Sequence, residues 1–201
     1  MYTWGYLKDV ILSKLDLDEN EAINMNLLRR FPFYANEAIT QICSAIKPKR
    51  TFAIFEIHGD RYVDDTIDPS NIGLNLQMPL DFISFGDDVN TVERCGQKYE
   101  IHDEDFEYVG YNELMFYDQG TYRISYNARW FTFTDMIDDD LELPIPNDIL
   151  DAIPSYVASQ CMKIDDEQRA AVLRNEFEVM LARMDDTNFK SNKTFRIGGD
   201  W

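Results

Sequence analysis

Hydrophobic positions near the start of the chain recur three and four apart. Trp4, Leu7, Val10, Ile11 and Leu15 fall on one stripe behind Thr3, a suitable helix N-cap, and predict a short amphipathic helix. A polar connection, 16–20, separates it from a second helical pattern that begins near Ile23. Pro32 is expected to break or kink that pattern, because proline lacks the amide donor and clashes with the preceding turn. Ala35, Ala38, Ile39, Ile42, Ala45 and Ile46 make a further stripe. Lys47-Pro48 ends it, with the lysine at the negative end of the helix dipole.

The period changes at Arg50. From Thr51 to about Phe133 the chain is rich in β-branched and aromatic residues and is punctuated by turns. Residues 51–57 read as a strand leading to His58-Gly59-Asp60, 82–85 as a second, and 92–94 and 99–102 as shorter strands around Cys95-Gly96. Residues 113–117 and 121–126 alternate on either side of Asp118-Gln119-Gly120, which predicts a β-hairpin. A β-region of roughly 80 residues can form a small sandwich or barrel-like sheet.

Beyond the acidic stretch 135–142, Leu143-Pro144-Ile145-Pro146 leads back into helix. Ile149, Leu150 and Ile153 run through Pro154 to Val157, Ala158, Cys161 and Met162. Asp165 with Gln168 resembles a capping box for a last helix, whose stripe is Val172, Leu173, Phe177, Met180 and Met184. Periodicity stops at 186. A helix pair alone cannot bury its apolar face, so the first and last pairs are expected to pack together. The predicted class is α+β: a helical bundle from 1–50 and 143–185, an inserted antiparallel β-domain over 51–142, and an extended C-terminal arm, 186–201.

Composition supports a packed fold, since 45% of the 201 residues are hydrophobic and 13% aromatic. Against 19 Lys and Arg stand 37 Asp and Glu, a formal net charge of −18. Such a surface repels phosphate, which disfavours a basic nucleic-acid-binding face or an anionic membrane as partner. No apolar run approaches the roughly 18 to 20 residues of a membrane span. The N-terminus lacks a signal-peptide pattern, and three widely spaced cysteines without a CxxC pair argue against a disulfide framework or structural zinc. Synthesis in the cytosol with reduced thiols is the expectation.

Little catalytic chemistry stands out. The chain has no Gly-rich phosphate loop, no GxSxG and no HExxH. His58 and His102 lie among acids, but no ligand spacing repeats, so the reading is solvated turns with no metal and no cofactor. Cys43 and Cys161 sit on apolar stripes as ordinary core thiols. The acid cluster, with Asp138-Asp139-Asp140, lacks the EF-hand order, and a charged face or linker is preferred over paired hydrolytic carboxylates. An enzyme is not expected. Tyr108, Tyr111, Tyr117, Tyr122, Tyr126 and Trp130 would suit a sugar platform, although strands enrich aromatics on both faces and that plainer reading is favoured. A carbohydrate- or protein-binding module using the β-region is the alternative function. The tail carries Lys190, Lys193 and Arg196 against Asp186 and Asp200, with Phe189, Phe195, Ile197 and Trp201. It either folds back on its own subunit or docks on an acidic neighbour.

Several strings resemble head–tail connector (tail adaptor) proteins of tailed bacteriophages. They are Thr3-Trp4-Gly5-Tyr6-Leu7-Lys8, Phe33-Tyr34-Ala35-Asn36-Glu37-Ala38, Lys47-Pro48-Lys49-Arg50, Leu143-Pro144, Ile153-Pro154-Ser155-Tyr156-Val157-Ala158-Ser159-Gln160 and Arg174-Asn175-Glu176-Phe177-Glu178. The resemblance covers both helical ends and not the β-region in detail, and it contains no catalytic signature. It implies a virion protein of the neck, synthesised in host cytoplasm, that forms a homo-oligomeric ring, commonly a dodecamer, beneath the portal protein. A downstream neck or tail protein would bind below, and DNA would pass through without specific binding. By position, the arm implies Phe189, Phe195, Arg196 and Trp201 as portal or neighbour anchors. Asp138, Asp139 and Asp140 are then expected at the channel or a subunit seam, where negative charge discourages DNA from sticking. The large β-insertion departs from the family pattern.

Overall fold

The computed structural model of the chain describes residues 2–57, 74–85, 92–94 and 106–191, leaving aside the side chains of 24, 74–75 and 185–191. The chain divides into two units, one formed by its two ends, up to Pro48 and from Arg129 onward, the other by Lys49–Ala128. The class is α+β.

In the first unit, helices α1 (Trp4–Leu15), α2 (Glu19–Asn24) and α3 (Phe31–Ala45) precede the β-unit, and α4 (Asn147–Met162) and α5 (Glu167–Ser191) follow it. Helices α1, α3 and α5 each pack on α4. That position explains why α4 is buried nearly all round, from Ile149 to Cys161, where the other helices bury one stripe. The stripes are Leu7, Ile11 and Leu15 on α1, Ala35, Ala38, Ile39 and Ile42 on α3, and Ala170, Leu173, Phe177, Leu181 and Met184 on α5. Val172, expected on the last of these, is 61% exposed.

Helix ends differ in informative ways. Thr3 caps α1, its side chain accepting from the Tyr6 amide at 3.2 Å. Pro32 does not break a helix; it opens α3 in the first turn, where its missing N–H removes no helical bond. A reciprocal capping box forms at Asp18 and Glu21. At α5 the cap is Asp166, not Asp165: its carboxylate accepts from the Arg169 amide at 2.9 Å. Helix α5 continues to Ser191, so 186–191, expected at the start of an extended arm, are helical.

The second unit holds β1 (Lys49–Ile57), β2 (Leu74–Gln77), β3 (Phe82–Phe85), β4 (Val92–Arg94), β5 (Phe106–Tyr108), β6 (Glu113–Phe116) and β7 (Gly120–Ala128). Strand β7 is the spine of one antiparallel sheet, paired with β1 along one side and with β3 and β4 along the other. A second antiparallel sheet runs β2-β6-β5. The hairpin expected across Asp118-Gln119-Gly120 is therefore absent, because β6 and β7 belong to different sheets. Each strand has the predicted alternation, but alternation fixes a buried face and not a partner. The turn carries the chain from one sheet to the other, and the Tyr122 hydroxyl donates to the Asp118 carbonyl across it at 2.9 Å. The core of this unit combines five aromatic residues, Phe82, Phe106, Phe116, Tyr122 and Tyr126, with aliphatic ones such as Ile57, Leu114 and Ile124. The rings of Phe116 and Tyr122, one from each sheet, lie 4.3 Å apart.

The stretch 129–142, expected with the β-domain, groups with the helices. Its physical tie is Asn36 on α3. The Asn36 amide nitrogen donates to the Phe133 carbonyl and its oxygen accepts from the Phe133 amide, both at 2.8 Å, as a neighbouring strand would. The Trp130 indole donates to the Lys47 carbonyl at 2.9 Å.

Candidate functional site

The acidic loop lies against the start of α1. A helix leaves its first amides without partners, and here the loop supplies them: Trp4 N–H donates to the Leu141 carbonyl at 3.2 Å and Gly5 N–H to the Asp139 carbonyl at 2.9 Å. A bridge between Thr3 and Glu142 extends the contact. A Cβ built on Gly5 would stand 3.1 Å from the Asp139 oxygen, which is why this second helical position is glycine. The Asp139 carboxylate pairs with Lys8 at 2.7 Å and sits near the positive end of the α1 dipole. Asp138 closes the turn, its side chain accepting from the Asp140 amide at 3.1 Å and its carbonyl from the Leu141 amide. All three aspartates are exposed, so Asp139 is engaged in the fold while Asp138 and Asp140 present charge to solvent.

A second constellation crosses α3, α4 and α5. The Tyr156 hydroxyl donates to Glu37 at 3.3 Å and accepts from the Gln41 amide nitrogen at 2.8 Å. Arg174 donates to the Gln41 oxygen at 3.1 Å, pairs with Glu178 at 2.5 Å, and lies over the rings of Tyr156 and Phe177. Burial, then the Glu37 charge, holds the Tyr156 hydroxyl above its ordinary pKa, so it stays a donor at neutral pH. Beside it, Glu176 accepts from Lys14 of α1 at 2.9 Å and from the buried Ser155 of α4 at 3.2 Å. The Lys14 hydrogen bond is the main cause that holds the Glu176 carboxyl below its ordinary value. Lys47 pairs with Asp148 at the start of α4. These groups are matched donor to acceptor, most of them between helices.

Burial pushes the Cys43 thiol up and the Cys161 thiol up to about 12, so neither is a ready thiolate. Among the described residues no His, Cys, Asp and Glu cluster is arranged to hold a metal ion, and no helix is long and apolar enough to cross a membrane. His58 and His102 lie outside the described residues.

The six aromatics do not share a surface. Tyr122 and Tyr126 are in the β-unit core, and desolvation with Asp81 raises the Tyr126 pKa to about 12. The Tyr117 hydroxyl donates to Glu107 at 2.7 Å, and that of Tyr111 to the Ile83 carbonyl. Tyr108 is half-exposed with its ring against Phe85, and Trp130 belongs to the helical unit. Of the proposed anchors, Phe189 falls on the α5 backbone but its side chain lies outside the described residues, as do Phe195, Arg196 and Trp201 altogether.

Sequence reasoning missed the roles of Gly5, Asn36 and Arg174. A glycine at the second position of a capped helix was the available signal for a close neighbour at the first. No protein-family model matches this sequence, and none of the curated proteins is detectably similar to it.

Proposed function

We propose that this chain is a structural adaptor of a tailed bacteriophage, a ring-forming neck protein that seats below the portal and joins head to tail around the DNA. One observation carries the reading. The strings that resemble connector proteins are scattered over more than 170 residues, yet side chains of three of them meet: Tyr156 donates to Glu37, Arg174 lies over the Tyr156 ring, and Ser155 donates to Glu176. A resemblance whose parts interlock in one helical scaffold is harder to produce by chance than one spread over surface positions. On this reading 1–50 and 143–185 form the adaptor bundle and the C-terminal segment docks on portal through Phe189, Phe195, Arg196 and Trp201. Exposed apolar side chains on the helical unit, Phe33, Met136, Ile164 and Val172, supply material for contacts between subunits. The −18 charge suits a conduit that DNA passes without adhering.

The test mixes the protein with portal and inspects negatively stained particles. Three forms are compared: the full chain, a chain lacking 192–201, and one lacking 186–201. Rings seated on portal only when the C-terminal segment is present support the adaptor. A protein that ignores portal and binds glycans through the β-unit would replace it with the binding-module reading.

A further inference from the structure

We draw no further inference here: the strongest candidate, the exposed apolar patch formed on the β-unit by Leu80 in the β2–β3 turn and by Val109 and Tyr111 in the β5–β6 loop, carries nothing because nothing in the structure shows what covers it.

Discussion

In the helical unit, fully buried aliphatics such as Leu7, Ile11, Ile39 and Ile42 pack around α4, and charged or polar side chains bridge from helix to helix at the margin of that core. In the β-unit five of the eleven buried core side chains are aromatic, and the order comes from one strand, β7, that touches three others. Charge divides unevenly as well. Residues 49–128 carry 16 acids against 6 bases, leaving 21 against 13 for the longer helical part. Helices distinguish their neighbours poorly by apolar packing alone, so keyed donors and acceptors fix which helix lies where. Strands already have backbone ladders for that purpose, and their side chains are left to fill the space between sheets.

If the two units are separate in energetics as in composition, core truncations act locally. Phe177→Ala removes a fully buried ring from the helical unit and Tyr122→Ala one from the β-unit. Each is expected to cost about 3–5 kcal/mol in its own unit. Thermal melts read by far-ultraviolet dichroism for helix and by segment-resolved hydrogen exchange for strands should separate the two. Concerted loss of both units on either substitution would break the comparison.

Asn36→Ala is the next largest change, about 1–3 kcal/mol, because it leaves the Phe133 amide and carbonyl without their partners. Faster exchange at Phe133, with the β-unit unaffected, is the expected signature.

pH sharpens the contrast at its acid end, since among the described residues the carboxyl with a lowered pKa, Glu176, is in the helical unit. Glu176 has a lowered pKa in the fold, so its stabilisation is complete above the ordinary 4.5 and is lost as pH falls through the lowered value. Tyr126 has a raised pKa, so its contribution is complete below 10 and is lost as pH climbs from 10 to about 12. Acid should loosen the helical unit first, at α1–α5, whereas alkali should act on the β-unit at β7 and on the helical unit at Tyr156. Ultraviolet titration of tyrosine ionisation and exchange at Lys14 provide the readouts, and loosening of β7 before α1–α5 in acid would refute this assignment.

The smallest effect is expected from Asp139→Asn, about 0–1 kcal/mol, since its pair with Lys8 is exposed. Melting temperature checks the stability side. Ring assembly on portal altered without loss of stability would favour a seam role for the acidic loop.

Much of the fold was legible where a pattern is local. Thr3 announces α1, the three-and-four spacing of α3 marks its buried face, and β7 alternates as read. Non-local choices were not legible. Nothing in 113–126 distinguishes a hairpin from two strands that change sheets, because the deciding partners, β2 and β5 against β1, β3 and β4, lie elsewhere in the chain. Likewise 129–134 has no periodicity of its own and takes its place from an asparagine nearly a hundred residues earlier. The candidate site was legible as residue types only: the strings around Tyr156 and Arg174 stood out, but that they meet depends on helix packing.

The first and last strands of the β-unit are also neighbours, with Lys49 directly opposite Ala128 in the register. Facing residues in an antiparallel pair lie only ~4.5–5.5 Å apart at their Cα atoms. For the rest of the polypeptide, then, 80 residues span no more distance than a tight turn. An insertion with its ends zipped together adds little closure entropy to the host and asks for no adjustment of the helices on either side. Such a module can be enlarged, exchanged or removed over evolutionary time while the scaffold that carries it stays the same.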